Sequence, residues 1–161
     1  MSATHRYHAR CSWSGSTGAG YDSYDRTHRV LAPPSEAALV LSSDPAFLGD
    51  PALLNPEQLL VAAASSCQLL SFLAVAARAR IDVVAYEDEA EALMPEEDPP
   101  TRITSITLRP RITIRTAPGA APPSTEKVER LVRLAHEECY IANSLRTEIT
   151  VSPAIDVLTG T

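Results

Sequence analysis

The longest uncharged segment of the chain runs from Gln58 to Ala77. Just before it, Asn55 has a side-chain oxygen that can cap a helix, and Pro56 suits the first helical position. Gln58 stands where a capping box reaches back to the cap residue. The pattern therefore predicts a helix that begins after Asn55 and ends near residues 78–80. Because it is apolar on nearly all sides, we expect it to lie buried at the centre of the fold.

Strands are predicted on both sides of this helix, where apolar and polar positions alternate with a period of two. They cover residues 5–13, 24–31, 37–42, 81–93, 102–115 and 148–157. An acidic, proline-containing turn joins 81–93 to 102–115, so we expect these two strands to pair as a hairpin. The run of acidic residues at 87–91 is interpreted as a solvated strand face.

A second helix is predicted after Ser124, which can cap it. Val128, Leu131, Ala135 and Cys139 follow at spacings of three and four, which predicts that Cys139 lies on the buried side of this helix near its end. Together the elements predict an α+β fold in a single domain, residues 1–161. One small sheet cannot cover the long apolar helix, so we also expect a dimer.

Composition and charge narrow the possible partners. The chain has 161 residues, a formal net charge of −6 and an isoelectric point near 5.2. These values leave no basic stripe for phosphates, so neither nucleic acid nor an anionic membrane surface is expected as a partner. The segment 58–77 is long enough to span a bilayer, but its glutamines, serines and alanines favour a buried helix. Three cysteines and no charged-then-apolar leader are typical of a cytoplasmic protein.

Two cysteines lie in a helical context, Cys67 in the apolar helix and Cys139 in the second helix. From the residues alone each is either a small buried hydrophobe or a redox centre, and inert packing is the commoner case. Cys11 lies beside Trp13 on one face of a predicted strand and is interpreted as packing. His136 precedes Cys139 by one turn, but two residues do not make a zinc site, which normally needs three or four ligands.

The sequence around both helical cysteines resembles the OsmC/Ohr family of thiol-dependent peroxidases. The shared marks are Asn-Pro-Glu-x-Leu-Leu at 55–60, a Ser-Cys pair whose Cys67 comes ten positions after Glu57, and Cys-Tyr-Ile-x-Asn-Ser-Leu from Cys139. The likeness runs from about Trp13 to the C-terminal strand. It implies an OsmC-like fold: an intertwined homodimer with a long central helix from each subunit, antiparallel sheets outside, and active sites at the subunit interface.

For the site, the resemblance implies that Cys67 attacks a peroxide as a thiolate and becomes a sulfenic acid. Cys139 would capture this acid as a disulfide, which a small or protein-bound dithiol then reduces. The resemblance also implies an arginine that favours the thiolate and is held by a glutamate at the helix start. Glu57 matches the glutamate, and the arginine is Arg26 or Arg29, which lie on opposite faces of a predicted strand. Of the two, Arg26 is favoured.

Other features of the site leave alternatives open. Glu57 and Cys67 lie about 15 Å apart along a straight helix. Glu57 therefore acts within its own subunit only if the helix bends or the arginine spans the gap, and otherwise acts across the dimer. Many family members have His directly after the first cysteine, whereas this chain has Gln68. Apolar neighbours such as Leu69 and Phe72 favour an organic hydroperoxide over hydrogen peroxide. No metal or organic cofactor is implied.

Two other functions compete with the peroxidase. A non-catalytic OsmC-like dimer would bind a hydrophobic ligand or take part in a stress response, with its cysteines serving only as packing. A cysteine hydrolase with Cys67 as nucleophile is the weaker alternative, because no histidine stands in a matching motif and no oxyanion site is identifiable. A disulfide between Cys67 and Cys139 after mild peroxide treatment separates the peroxidase from the non-catalytic dimer.

Overall fold

The computed structural model of the protein describes residues 4–97 and 99–159. The chain forms two compact units, one up to Leu59 and one from Leu60 onward. The long helix α1, Pro56–Arg78, begins in the first unit and continues in the second. A single domain over 1–161 stays a prediction.

The first unit contains a three-stranded antiparallel sheet. Its strands are β1, Arg10–Ser12, β2, His28–Leu31, and β3, Ala38–Leu41, in the order β1-β2-β3. The three predicted strands are present and each pairs with the next along the chain, but the first two are shorter than predicted. Residues 24–27 leave the ladder, because the Asp25 carboxylate accepts hydrogen bonds from the Thr27 amide at 2.9 Å and from its hydroxyl at 2.7 Å. Such a local turn competes with strand pairing.

Helix α1 begins with the capping box that the sequence predicts. The Gln58 N–H donates to Asn55 Oδ1 at 2.8 Å, and the Asn55 N–H donates to Gln58 Oε1 at 3.1 Å. The helix ends at Arg78, and Arg80 then adopts a left-handed conformation with a φ of 57°. Both predicted ends of the helix are confirmed.

The second unit holds two mixed three-stranded sheets and two further helices. Its strands are β4, Asp82–Asp88, β5, Glu91–Leu93, β6, Ser105–Leu108, β7, Pro110–Thr116, β8, Glu148–Val151, and β9, Ala154–Thr159; its helices are α2, Thr125–Glu137, and α3, Tyr140–Ser144. One sheet has the order β4-β7-β9 and the other β5-β6-β8. The α+β prediction is confirmed.

The predicted hairpin is present in two parts, with β4 antiparallel to β7 and β5 antiparallel to β6. It breaks where the Arg109 N–H donates to the Asp88 carboxylate at 2.7 Å and where Pro110 has no N–H to donate. A proline, Pro153, also lies where the predicted last strand divides into β8 and β9. These two strands run parallel to β6 and β7, so the sheets of this unit are mixed rather than antiparallel throughout.

The interior of the second unit has two apolar clusters. One includes Phe72 of α1, Ile112 of β7 and Val128 of α2. The other includes Ala64 of α1 and Ile106 of β6. Because each cluster contains residues of α1, this part of the helix packs against both sheets of the unit.

One face of α1 lies open within a single chain. By length and composition the helix could cross a membrane, a property that the core helices of soluble proteins share. Only 28% of its most apolar stretch is buried. The side chains of Leu70 and Leu73 are 64% and 37% exposed. The helix is therefore central to its unit, but a single chain leaves one of its faces uncovered. The sequence predicted this need for further cover.

Candidate active site

Helix α1 directs Cys67 toward the first turn of α3. The side chain is half-buried, and its sulfur accepts a hydrogen bond from the Ile141 N–H, with an N···S distance of 3.5 Å. Ile141 packs its own side chain against the cluster of Ala64 and Ile106. Cys67 thus combines apolar surroundings with a backbone N–H directed at its sulfur.

Cys139 lies between α2 and α3 rather than inside a helix. Helix α2 ends at Glu137, and Cys139 is the cap residue of α3. Its N–H donates to the His136 carbonyl at 3.1 Å, and its own carbonyl accepts from the Asn143 N–H at 3.0 Å. The side chain is 1% exposed. The predicted burial of Cys139 is confirmed, whereas its predicted place on the second helix is wrong.

The side chains of Cys67 and Cys139 are interacting neighbours, and both are free thiols. Burial, followed by the neighbouring Cys67 side chain, raises the pKa of Cys139 to about 11, although the N–H groups of Ala142 and Ile141 act in the opposite direction. Cys139 therefore keeps its proton at neutral pH. Two thiols so placed can exchange to a disulfide once one of them is oxidised.

Two side chains that flank Cys67 in the sequence form hydrogen bonds from α1 to neighbouring elements. The Ser65 hydroxyl donates to Asp88 Oδ2 at 2.5 Å, which ties the helix to the end of β4. Gln68 is 1% exposed, and its Nε2 donates to the Val132 carbonyl of α2 at 3.2 Å. The position of Cys67 is thus set from a strand and from a second helix.

The other predicted site residues lie in the first unit. Arg26 is half-buried, and its guanidinium lies 4.7 Å from the ring centroid of Tyr21 and 4.1 Å from that of Tyr24. The same guanidinium donates to the Tyr21 carbonyl at 2.7 Å and to the Tyr24 carbonyl at 2.9 Å. Arg29 is exposed on β2, and Glu57 is half-buried in the first turn of α1. Within 4–97 and 99–159 neither arginine forms an ion pair with Glu57. Their catalytic roles stay predictions.

Cys11 is exposed on β1, where it lies opposite Val30 of β2. Its predicted role in packing is therefore not met within this chain. Across the described ranges, no group of three or more His, Cys, Asp and Glu side chains is placed to hold a metal ion.

Two residues near the cysteines were not expected from the sequence, Tyr86 and Asp88. Tyr86 interacts electrostatically with Cys139, and Asp88 binds both Ser65 and the Arg109 amide. The signal that could have found them is the period of two in β4, where both residues alternate with exposed positions. The acidic run 87–91 was interpreted as a solvated face, and for this reason the sequence did not single out the carboxylate of Asp88, which faces inward.

Comparison with known proteins supplies a family. The family model of OsmC-like protein matches residues 49–154. An OsmC-like protein of unknown function from Vibrio cholerae aligns with a TM-score of 0.82 and 29% identity, covering 94% of this chain and all of that one. A search of the curated proteins finds no match.

Two further solved structures have names that refer to peroxides. The organic hydroperoxide resistance protein OsmC from Legionella pneumophila aligns with a TM-score of 0.67 and 19% identity, covering 96% of this chain and 99% of that one. The organic hydroperoxide resistance protein OhrB of Bacillus subtilis gives 0.61 and 19%, with coverage of 95% and 99%. At these identities the likeness establishes the shared fold.

Proposed function

The chain belongs to the OsmC-like family, and on that premise we propose that it is a thiol-dependent peroxidase that reduces organic hydroperoxides to alcohols. The observation that carries the proposal is the contact between the thiols of Cys67 and Cys139, which the fold brings together from α1 and from the start of α3. The presence of organic hydroperoxide resistance proteins among its structural neighbours supports it.

Cys67 is the attacking residue in this proposal, because it is the more exposed of the two thiols and receives the Ile141 N–H. Its thiolate attacks one peroxide oxygen, the O–O bond breaks, and the departing alkoxide takes up a proton to become the alcohol. Cys67 is left as a sulfenic acid. The apolar side chains of Ala64, Ile106 and Ile141 near the sulfur favour an organic peroxide over hydrogen peroxide.

Cys139 is the resolving residue. Its sulfur attacks that of the Cys67 sulfenic acid, the S–O bond breaks, and the proton of Cys139 leaves with the oxygen as water. The resulting disulfide is reduced by a small or protein-bound dithiol through thiol–disulfide exchange. This chemistry requires neither a metal nor an organic cofactor.

Arg26 and Glu57 complete the proposal with the roles that the family resemblance implies. Glu57 holds Arg26, and the arginine favours the thiolate of Cys67. Since Arg26 lies against Tyr21 and Tyr24 in this structure, the proposal requires its guanidinium to exchange those contacts for the carboxylate of Glu57 during turnover.

We further propose that the protein acts as a homodimer in the cytoplasm. The exposed face of α1 supports the dimer, since a second copy would cover Leu70 and Leu73. The family resemblance implies an intertwined arrangement in which Glu57 acts within its own subunit or across the interface.

The proposal is tested by following the consumption of cumene hydroperoxide and of hydrogen peroxide with a dithiol reductant. We expect faster turnover of the organic peroxide, its complete loss in Cys67→Ser, and full activity in Cys11→Ser. Arg26→Met should lower the rate about a hundredfold, and Arg29→Met should leave it unchanged. No turnover by the wild type, with thiols that stay reduced under excess peroxide, contradicts the proposal and favours the non-catalytic dimer.

A further inference from the structure

Among the residues that the structure describes, three buried side-chain atoms have no hydrogen-bond partner, one of which is Nδ1 of His136 and two of which can act together on one ligand group. These two are Oε1 of Gln68 and the hydroxyl of Tyr86. A buried polar group without a partner costs roughly 1–3 kcal/mol, so each such atom calls for an explanation.

Both side chains are placed close to the redox pair. Gln68 follows Cys67 directly in α1, and Tyr86 interacts electrostatically with Cys139. They also share a neighbour. Phe72 lies one turn after Gln68, and its ring centroid lies 6.0 Å from that of Tyr86. Each of the two residues thus neighbours one of the cysteines, and both neighbour Phe72.

The two atoms have complementary hydrogen-bonding character. The Gln68 amide nitrogen already donates to the Val132 carbonyl, so its oxygen is the free end of the amide and can only accept. Burial raises the pKa of Tyr86 above its ordinary value, and Asp88 and Cys139 add to the shift, so the phenol stays protonated at neutral pH and can donate. One donor and one acceptor together match a single hydroxyl group.

We propose that Tyr86 and Gln68 receive the hydroxyl of the sulfenic acid that forms on Cys67. The Tyr86 O–H donates to the sulfenic oxygen, and the sulfenic O–H donates to Gln68 Oε1. This inference rests on the proposed peroxidase function and gives the oxidised intermediate a specific binding site.

The hydrogen bonds from Tyr86 and to Gln68 affect both reactions that the Cys67 sulfenic acid can undergo. When Cys139 attacks, the S–S bond forms, the S–O bond breaks, and the oxygen leaves with the Cys139 proton as water, while Tyr86 stabilises the charge that develops on the departing oxygen. When a second hydroperoxide attacks instead, the sulfenic acid becomes a sulfinic acid and the peroxide becomes an alcohol. Holding the hydroxyl between Tyr86 and Gln68 disfavours this second reaction.

The test uses a Cys11→Ser, Cys139→Ser background, in which Cys67 is the remaining cysteine and its sulfenic acid cannot be resolved. One equivalent of cumene hydroperoxide is added to form the sulfenic acid, and an excess is then added to drive its oxidation to the sulfinic acid. Both forms are followed over time by dimedone trapping and intact mass. Tyr86→Phe in this background removes only the hydroxyl. We expect about a tenfold faster conversion to the sulfinic acid, as for the loss of one hydrogen bond.

The matched control is Tyr140→Phe, which removes the hydroxyl of a tyrosine that is 82% exposed and directly follows position 139. It should leave the lifetime of the sulfenic acid unchanged. Gln68→Met, a second variant, should shorten the lifetime in the same direction as Tyr86→Phe. Thermal unfolding separates this role from a structural one, because removing an unpartnered buried hydroxyl should leave the reduced Tyr86→Phe protein equally or more stable.

A sulfenic acid that forms and persists equally long with Tyr86 and with Phe at that position overturns the inference and leaves the proposed function intact. If the background protein forms no sulfenic acid, the proposed function fails and this inference fails with it.

Discussion

Cys67 and Cys139 lie in different surroundings, since the Cys67 side chain is half-buried and the Cys139 side chain is buried. Burial and the neighbouring Cys67 side chain raise the pKa of Cys139, so this thiol stays protonated at neutral pH, and the Ile141 N–H donates to the sulfur of Cys67. The two cysteines therefore differ in role before any peroxide arrives. One faces a hydrogen-bond donor that stabilises negative charge, and the other holds the proton that the leaving oxygen will need.

The raised pKa of Cys139 predicts a pH dependence of stability. In the unfolded chain the thiol titrates near its ordinary value of 9.0, whereas in the folded protein it titrates near 11. Its contribution to stability is therefore fully present below pH 9 and is lost as the pH rises from 9 to 11.

The measurement is the free energy of unfolding by urea at pH 8, 9.5 and 11 under reducing conditions. Cys139→Ala should lose less stability across this range than the wild type. Tyr86, whose pKa is also raised by burial, contributes with the same sign in both proteins, so the difference between them reports Cys139. Equal losses would show that the pKa of Cys139 is not raised in the folded protein.

At the scale of residues, the sequence predicted that Cys67 and Cys139 act as a pair, but it did not predict which element carries Cys139. The motifs around Cys67 and Cys139 paired them, and the burial of Cys139 followed from its spacing with Ala135. That spacing could not reveal that α2 ends at Glu137, because the turn after the helix keeps Cys139 on the buried side. The contacts of Gln68 and Tyr86 depend on α1, α2 and β4 packing together, which no local pattern encodes.

At the scale of elements, one carboxylate links helix α1 to the strands of its unit. Asp88 ends β4, accepts the Ser65 hydroxyl from α1, and accepts the Arg109 amide that lies between β6 and β7. It thus joins the helix that bears Cys67 to the point where the long hairpin divides between two sheets. The sequence predicted the hairpin and the helix separately, and only the folded chain shows what connects them.

Ser65→Ala should therefore destabilise the protein by about 1.5–3 kcal/mol, the range for a hydrogen bond to a charged group. Ser66, the next residue, is exposed, and Ser66→Ala should change stability by less than about 0.5 kcal/mol. Urea unfolding at pH 7 measures both. In a double-mutant cycle with Asp88→Asn, an interaction energy near zero would contradict the link between Ser65 and Asp88.

At the scale of the whole molecule the sequence predicted the α+β class, the long central helix and the need for further cover. It did not predict that the last two strands lie parallel to β6 and β7, since their register depends on partners far away in the chain. The exposed face with Leu70 and Leu73 is the physical argument for a dimer.

A charge on that face should disrupt the dimer. Leu70→Glu places a carboxylate on a face that the proposal buries, at a cost of several kcal/mol, so the protein should sediment as a monomer at concentrations at which the wild type is dimeric. Lys127→Glu, which introduces the same residue at an exposed position of α2, should stay dimeric. Sedimentation velocity measures both. A Leu70→Glu protein that remains fully dimeric would move the interface away from this face.

The most direct test of the account is whether Cys67 and Cys139 form a disulfide when the protein meets one equivalent of cumene hydroperoxide. Peptide mapping by mass spectrometry under non-reducing conditions identifies the linked cysteines. The account predicts a Cys67–Cys139 disulfide within each chain, with Cys11 left as a free thiol, and reversal by a dithiol. Thiols that all stay reduced, or a disulfide that joins Cys11 instead, would contradict it.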